Sequence, residues 1–259
     1  MSAQWSDLRA RVLSAIVMLG VAIGAFLSGP VLFVPLVACA TGAMIWELSR
    51  MQGTRWPAAP LALAALVAVA VLVRGWQQMM PVLGLDLLLA LVLGGVAGFA
   101  SGKDRGITGV YAAAVALTGI LIVTLLGWRI GELLLVTVLG VVILTDVAGY
   151  FAGRILGGPK FWPKVSPKKT WSGVIAGWLA AGVFGLWAGL AWFDGALMGL
   201  AAMVMSFASQ LGDIAESALK RRAGIKDSSN LIPGHGGFLD RFDGVVGAML
   251  VLALVTALL

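Results

Sequence analysis

Long apolar runs separated by short polar punctuation dominate the chain. They lie at about residues 11 to 28, 31 to 49, 58 to 74, 81 to 100, 109 to 127, 132 to 152, 172 to 193, 196 to 217 and 238 to 259. Each is long enough for a helix of roughly 20 residues across a hydrocarbon core. The pattern therefore predicts an all-α fold, a polytopic membrane helix bundle of about nine transmembrane helices. Up to about Gly131 the runs carry Ala, Val, Leu and Gly on every face and are joined by short loops. Residues 1 to 131 thus read as membrane scaffold. Residues 132 to 259 read as a second half with two long polar loops, within one integrated membrane domain. No internal repeat suggests the paired halves of a transporter. Glycines inside the runs, such as Gly94, Gly95 and Gly98 or Gly177, Gly182, Gly185 and Gly189, are expected to let helix backbones approach closely.

Composition agrees with the pattern. Hydrophobic residues make up 60% and charged residues 12%, with a mean hydropathy of +1.00, far outside the soluble range. The first run follows Arg9 and Arg11 and ends in small residues at Ser28 and Gly29, as a secretory leader would. Its length, and the second run that follows at once, favour a membrane helix. Cys39 is the single cysteine, so no disulfide framework or thiolate metal site is expected, and it reads as a small buried hydrophobe.

The net charge of +6 changes the picture through its placement. With the N-terminus cytoplasmic, all Lys and Arg except Arg74 and Arg129 fall in cytoplasmic loops or flanks. This asymmetry is what the positive-inside rule selects. It predicts an integral plasma (inner) membrane protein with N-terminus and polar loops inside and C-terminus outside. The basic face then serves anionic membrane lipid, and no nucleic acid partner is expected.

Chemistry concentrates in the two long loops, about 153 to 172 and 220 to 240, and the helices beside them. Asp213, Glu216, Ser217 and Lys220 fall on one stripe of the eighth run. An Asp at a helix centre costs about 2.5 to 3.5 kcal/mol on insertion scales, so a carboxylate in a span is usually partnered or functional. Asp240 and Asp243 repeat the spacing where the ninth run begins. Such acids suit a divalent cation such as Mg²⁺; pairing with Arg221, Arg222 or Arg241 is the alternative, and spacing alone leaves both open. Gly236 and Gly237 beside His235 allow backbone N–H groups to approach a phosphate just before a helix N-terminus. The other loop carries Ser166, Lys168, Lys169 and Thr170, hydroxyls grouped with lysines that suit phosphate oxygens. Asp146, deep in the sixth run, is a further polar-site candidate.

From Ser217 the sequence reads S-A-L-K-R, four residues, K-D, then I-P-G-H-G-G-F-L-D-R-F-D. This resembles the signature of the phosphatidate cytidylyltransferases (CDP-diacylglycerol synthases), matched at Ser217, Leu219, Lys220, Arg221, Lys226, Asp227, Ser229, Ile232, Pro233, His235, Gly236, Gly237, Phe238, Asp240, Arg241, Phe242 and Asp243. The stretch from Asp146 to Trp171 resembles the family's looser second motif. There the family commonly continues with an acid and a glycine, whereas this chain has Ser172 before Gly173.

The resemblance implies transfer of CMP from CTP to phosphatidate, giving CDP-diacylglycerol and pyrophosphate. It implies a catalytic divalent ion, Mg²⁺ with a second cation left open, held by Asp213, Asp240 and Asp243. Catalytic roles then fall to Asp213, Lys220, Arg221, Lys226, Asp240 and Asp243. Substrate contact falls to Asp146, Ser166, Lys168, Lys169, Thr170, Ser217, His235, Gly236, Gly237 and Arg241. The partners are CTP, phosphatidate and membrane lipid; oligomeric state is open, a homodimer included. Two other classes stand beside this reading. A transporter would spread charge along a pathway rather than gather it at one interface. A CDP-alcohol transferase would need a D-G-x-x-A-R run, but Asp243-Gly244 leads into Val-Val-Gly-Ala.

Overall fold

The computed structural model describes residues 2–77, 83–192 and 194–258, and the side chains of residues 12–77, 83–190 and 194–256. Among the described residues the chain forms nine α-helices and one two-stranded hairpin. The helices are α1 (Ser2–Leu27), α2 (Pro30–Gln52), α3 (Ala59–Trp76), α4 (Leu83–Ala100), α5 (Arg105–Leu125), α6 (Gly131–Ile155), α7 (Trp171–Trp192), α8 (Gly195–Ala223) and α9 (Leu239–Leu258). Every predicted run thus contains a helix. Residues 81 and 82, which open the fourth predicted run, and Leu259, which the topology places outside, lie outside the described residues.

The fold is predominantly helical, and among the described residues seven helices, α2 to α8, are long and apolar enough to cross a membrane by length and composition. The apolar part of α1, Val12–Leu27, is shorter. Helix α9 opens with Asp240, Arg241 and Asp243. The hairpin, β1 (Lys160–Trp162) and β2 (Ser166–Thr170), pairs antiparallel with Lys160 opposite Thr170 and Trp162 opposite Ser166. It gives structure to what the sequence reads as a loop. Phe161 packs edge-on against Trp171 at 4.7 Å between ring centroids, tying the hairpin to the start of α7.

Two compact units divide the chain, residues 1–129 with 222–242, and residues 130–221 with 243–259. The first is built on α2, α3, α4 and α5. Its α4–α5 seam depends on glycine: a Cβ at Gly94 would stand 2.4 Å from the Gly109 carbonyl oxygen. Gly95, expected in the same role, has nothing within 4 Å and faces outward. Cys39 is likewise exposed rather than buried. In lipid an apolar face can point away from the protein at no hydrophobic cost, so apolarity does not imply burial. At one end of this unit Thr54 bridges Ser101 and Gly102 N–H donates to Gly53 O at 2.9 Å. Loops separated by two helices therefore share an end, as the predicted topology requires of them.

The second unit contains α6, the hairpin, α7, most of α8 and most of α9. Gly185 and Gly189 of α7 lie against α8, where added Cβ atoms would meet Ala202 Cβ at 2.4 Å and Met198 Cβ at 2.6 Å. Between α8 and α9 a Cβ on Gly212 would stand 2.3 Å from the Asp243 carbonyl oxygen, and one on Gly247 would stand 2.0 Å from that of Ala208. Backbone touches backbone along this seam.

Candidate functional site

In the second unit α6, β2, α7 and α8 enclose a cavity of about 480 Å³ whose wall includes Asp146, Arg154, Lys168, Lys169, Thr170 and Gln210. Asp146 and Arg154 lie two turns apart on α6, separated by glycines at 149 and 153. Those glycines matter for the approach of α7: a Cβ on Gly173 would be 2.5 Å from the Gly149 carbonyl oxygen. On β2 Lys168 is exposed while Lys169 is half-buried and ion-paired to Asp213 of α8. Arg154 donates to the Tyr150 hydroxyl at 2.6 Å.

Hydroxyls expected to meet phosphate are partly used in local structure. Thr170 is 5% exposed. Its Oγ1 accepts from Gly173 N–H at 3.3 Å, capping the first turn of α7, and pairs with Ser172 Oγ at 3.0 Å. Ser172 in turn donates to Gly157 O. At the position where the resemblance would put an acid, this chain therefore has a hydroxyl that fastens the hairpin to α7. Ser166 opens β2 and is not among the described residues on the cavity wall.

The predicted stripe on α8 is real. Ser217 Oγ donates to Asp213 Oδ1 at 3.4 Å, and Lys220 is ion-paired to Glu216, which is fully buried. Asp213 keeps 34% of its side chain exposed. Asp243 is half-buried, its Oδ1 accepting from Gly244 N–H at 2.7 Å, and it lies within electrostatic range of Asp213, Lys220 and Asp146. Arg221 is exposed. Among the described residues no three or more His, Cys, Asp or Glu side chains form an assembled metal-binding group. In donor chemistry Asp213 and Asp243 nonetheless suit a hard divalent ion, and the Lys169 ammonium on Asp213 shows that this carboxylate attracts a cation.

The first unit holds the segment from Gly224 to Arg241. Asp240 Oδ2 accepts from Ser228 N–H at 2.9 Å, Ser228 Oγ at 2.8 Å and Gly237 N–H at 2.7 Å. Gly236, at φ 83°, lets Ile232 N–H donate to its carbonyl at 2.8 Å and closes the turn around His235. His235 Nδ1 is 2.7 Å from Ser14 Oγ of α1, and the same hydroxyl donates to Pro233 O at 2.9 Å. Lys226 and Arg241 are exposed. Arg222 lies 3.7 Å from Asp104.

Two residues that the sequence reading passed over stand in these assemblies. Glu47 of α2, with none of its surface exposed, accepts from four donors in the 228–239 segment. Gln210 lines the cavity, with its Oε1 accepting from Trp178 Nε1 at 3.0 Å and its Nε2 donating to Val174 O at 3.3 Å. A signal for Glu47 existed, since an acid inside an apolar run invites the argument that singled out Asp146. Gln210 had none beyond being polar in a span.

Sequence comparison identifies similar proteins along the whole chain. A sequence model described as the cytidylyltransferase family matches residues 9–259. A phosphatidate cytidylyltransferase of Pseudomonas aeruginosa is 35% identical over 265 residues, 95% of this chain and 96% of that one. One from Brucella suis is 49% identical over 126 residues, 48% of this chain and 47% of that protein, so the matched chain spans about half the length of this relative. The same name belongs to a Bacillus subtilis protein that is 42% identical over 118 residues, 44% of each chain.

Proposed function

The chain belongs to the cytidylyltransferase family, and from that premise we propose that it is a phosphatidate cytidylyltransferase of the inner membrane. CTP and phosphatidate enter; CDP-diacylglycerol and pyrophosphate leave. The observation that carries the reading is the cavity of the second unit, whose lining gathers two lysines, an arginine and a carboxylate, with Lys169 ion-paired to Asp213. Its volume of about 480 Å³ lies in the range of small-molecule sites.

In the proposed reaction an oxygen of the phosphatidate phosphate forms a bond to the α-phosphorus of CTP. The bond from that phosphorus to the oxygen bridging to the β-phosphate breaks, and pyrophosphate departs. A phosphomonoester is largely ionised at neutral pH, so no strong general base is needed. The work left to the protein is positioning and charge neutralisation. Lys168, Lys169 and Arg154 receive phosphate oxygens, Arg154 being steadied by Tyr150. Lys220, Arg221 and Lys226 add positive charge. By the resemblance, Asp213, Asp240 and Asp243 would hold Mg²⁺, with Asp213 exchanging Lys169 for it; the ion would polarise the α-phosphoryl group and screen the two anions. Ser217, His235, Gly236, Gly237 and Arg241 remain substrate-contact assignments of the same reading.

In this proposal α1 and α9 also cross, giving nine spans with the N-terminus and both basic loops cytoplasmic and the C-terminus outside. A soluble nucleotide then meets a lipid that stays in its leaflet. The test offers purified protein each of the four nucleoside triphosphates, labelled in the α-phosphate, with phosphatidate and Mg²⁺. Label should pass to lipid from CTP only when phosphatidate and the divalent ion are both present. Folded protein that leaves CTP untouched overturns the reading.

A further inference from the structure

We infer that Glu47 is a positioning residue of the proposed transfer, holding the segment from Ser228 to Asp240 in its working conformation from within helix α2. The kinetic part of this inference rests on the proposed function; the structural part stands without it. Glu47 is completely buried, 181 residues from Ser228 in the chain. Its Oε1 accepts from Ser229 Oγ at 2.5 Å and Phe238 N–H at 3.0 Å, and its Oε2 from Ser228 Oγ at 3.3 Å and Leu239 N–H at 2.7 Å. Two of these donors are among the otherwise unsatisfied N–H groups at the start of α9, where a carboxylate is favoured by charge as well as by hydrogen bonding.

Ser228 links this acid to a second one. Its single hydroxyl proton faces Glu47 Oε2 at 3.3 Å and Asp240 Oδ2 at 2.8 Å, while Asp240 Oδ2 also takes the N–H groups of Ser228 and Gly237. The segment is thus threaded between two carboxylates, one from α2 and one from its own helix. Gly237 is the residue that permits it. A Cβ there would be 2.3 Å from Glu47 Oε1 and 2.2 Å from Ser228 Oγ. What is held is the part of the chain bearing His235, Gly236, Gly237 and Asp240. Glu47 touches no proposed substrate group, so its influence must pass through this segment.

The amide isostere gives a sharp perturbation. Glu47→Gln keeps size and shape but replaces one acceptor oxygen with an NH₂ donor. Whichever way the amide turns, that donor faces either Phe238 N–H or Leu239 N–H. A serine hydroxyl can reverse and accept; a backbone N–H cannot. One buried N–H therefore loses its partner in every orientation.

The experiment measures two things on full-length purified Glu47→Gln protein. Label transfer should show kcat lowered about 100-fold, as for a displaced catalytic segment, while KM for CTP stays within about threefold of wild type. Trypsin cleavage after Lys226 should quicken about tenfold as the segment opens more often. A wild-type value in either readout overturns the assignment. Should Glu47→Gln not fold, the Ser228→Ala/Ser229→Ala double variant removes two donors and leaves the acid in place. For it, lowered kcat with faster cleavage supports the role, and wild-type behaviour in either measurement overturns it. If wild-type protein transfers no label, the cytidylyl reading fails, and the cleavage rate alone then decides whether Glu47 holds the segment.

Discussion

The α8–α9 seam offers a test of how backbone contact sets up chemistry. In Gly247→Ala the new Cβ would stand 2.0 Å from the Ala208 carbonyl oxygen, 2.7 Å from its carbon and 3.1 Å from Ser209 N. All three are backbone atoms, so no side-chain rotation relieves the clash. Ordinary contact begins near 3.4 Å, and the helices must part locally by about 1 Å or more. Overpacking of this kind costs about 1 to 3 kcal/mol. The same seam brings Gly212 against the Asp243 backbone, so parting it separates Asp213 from Asp243. A misplacement of about 1 Å can cost on the order of 100-fold in rate, and the concentration of Mg²⁺ needed for half-maximal turnover should rise. Label transfer from CTP titrated with Mg²⁺, together with thermal unfolding in detergent, measures both effects. Gly95→Ala is the control, since a Cβ there meets nothing within 4 Å, and it should behave as wild type. Gly247→Ala protein with wild-type kcat and Mg²⁺ dependence would refute the idea that this close approach sets the acid geometry.

The remaining expectations concern charge and topology. Asp213→Asn and Asp240→Asn should each abolish turnover in folded protein, because the amide keeps the shape but removes the charge that would bind the metal in the proposed reaction. Near-normal activity of either at saturating Mg²⁺ would favour plain ion pairing, which for Asp213 means its contact with Lys169. In a Cys39→Ala background, single cysteines replacing Ser172, Ser228 and Leu259 should react with an impermeant thiol reagent on intact cells only at position 259. Labelling at Ser228 but not at position 259 would reverse the proposed orientation.

The length of the apolar runs alone located the nine helices, since each run holds one; among the described residues seven of them are long and apolar enough to cross a membrane, where a helix must satisfy its own backbone and be apolar over a set length. The stripe of Asp213, Glu216, Ser217 and Lys220 was equally legible, since helical spacing dictates which residues share a face. Several things depend on neighbours distant in the chain, and only the tertiary structure decided them. Glu47 sits in what reads as scaffold, and its purpose exists only once Ser228, Ser229, Phe238 and Leu239 are folded onto it. The hairpin of residues 160–170 came from pairing across a turn rather than from any apolar pattern. Which glycines matter was likewise hidden: Gly94 lies against another backbone while adjacent Gly95 faces outward. Burial was the least legible property of all. In water an apolar residue is driven inside, but in a bilayer the exterior is as apolar as the core. Composition therefore marks what lies in the membrane, as it did for exposed Cys39, and leaves to packing which face turns inward.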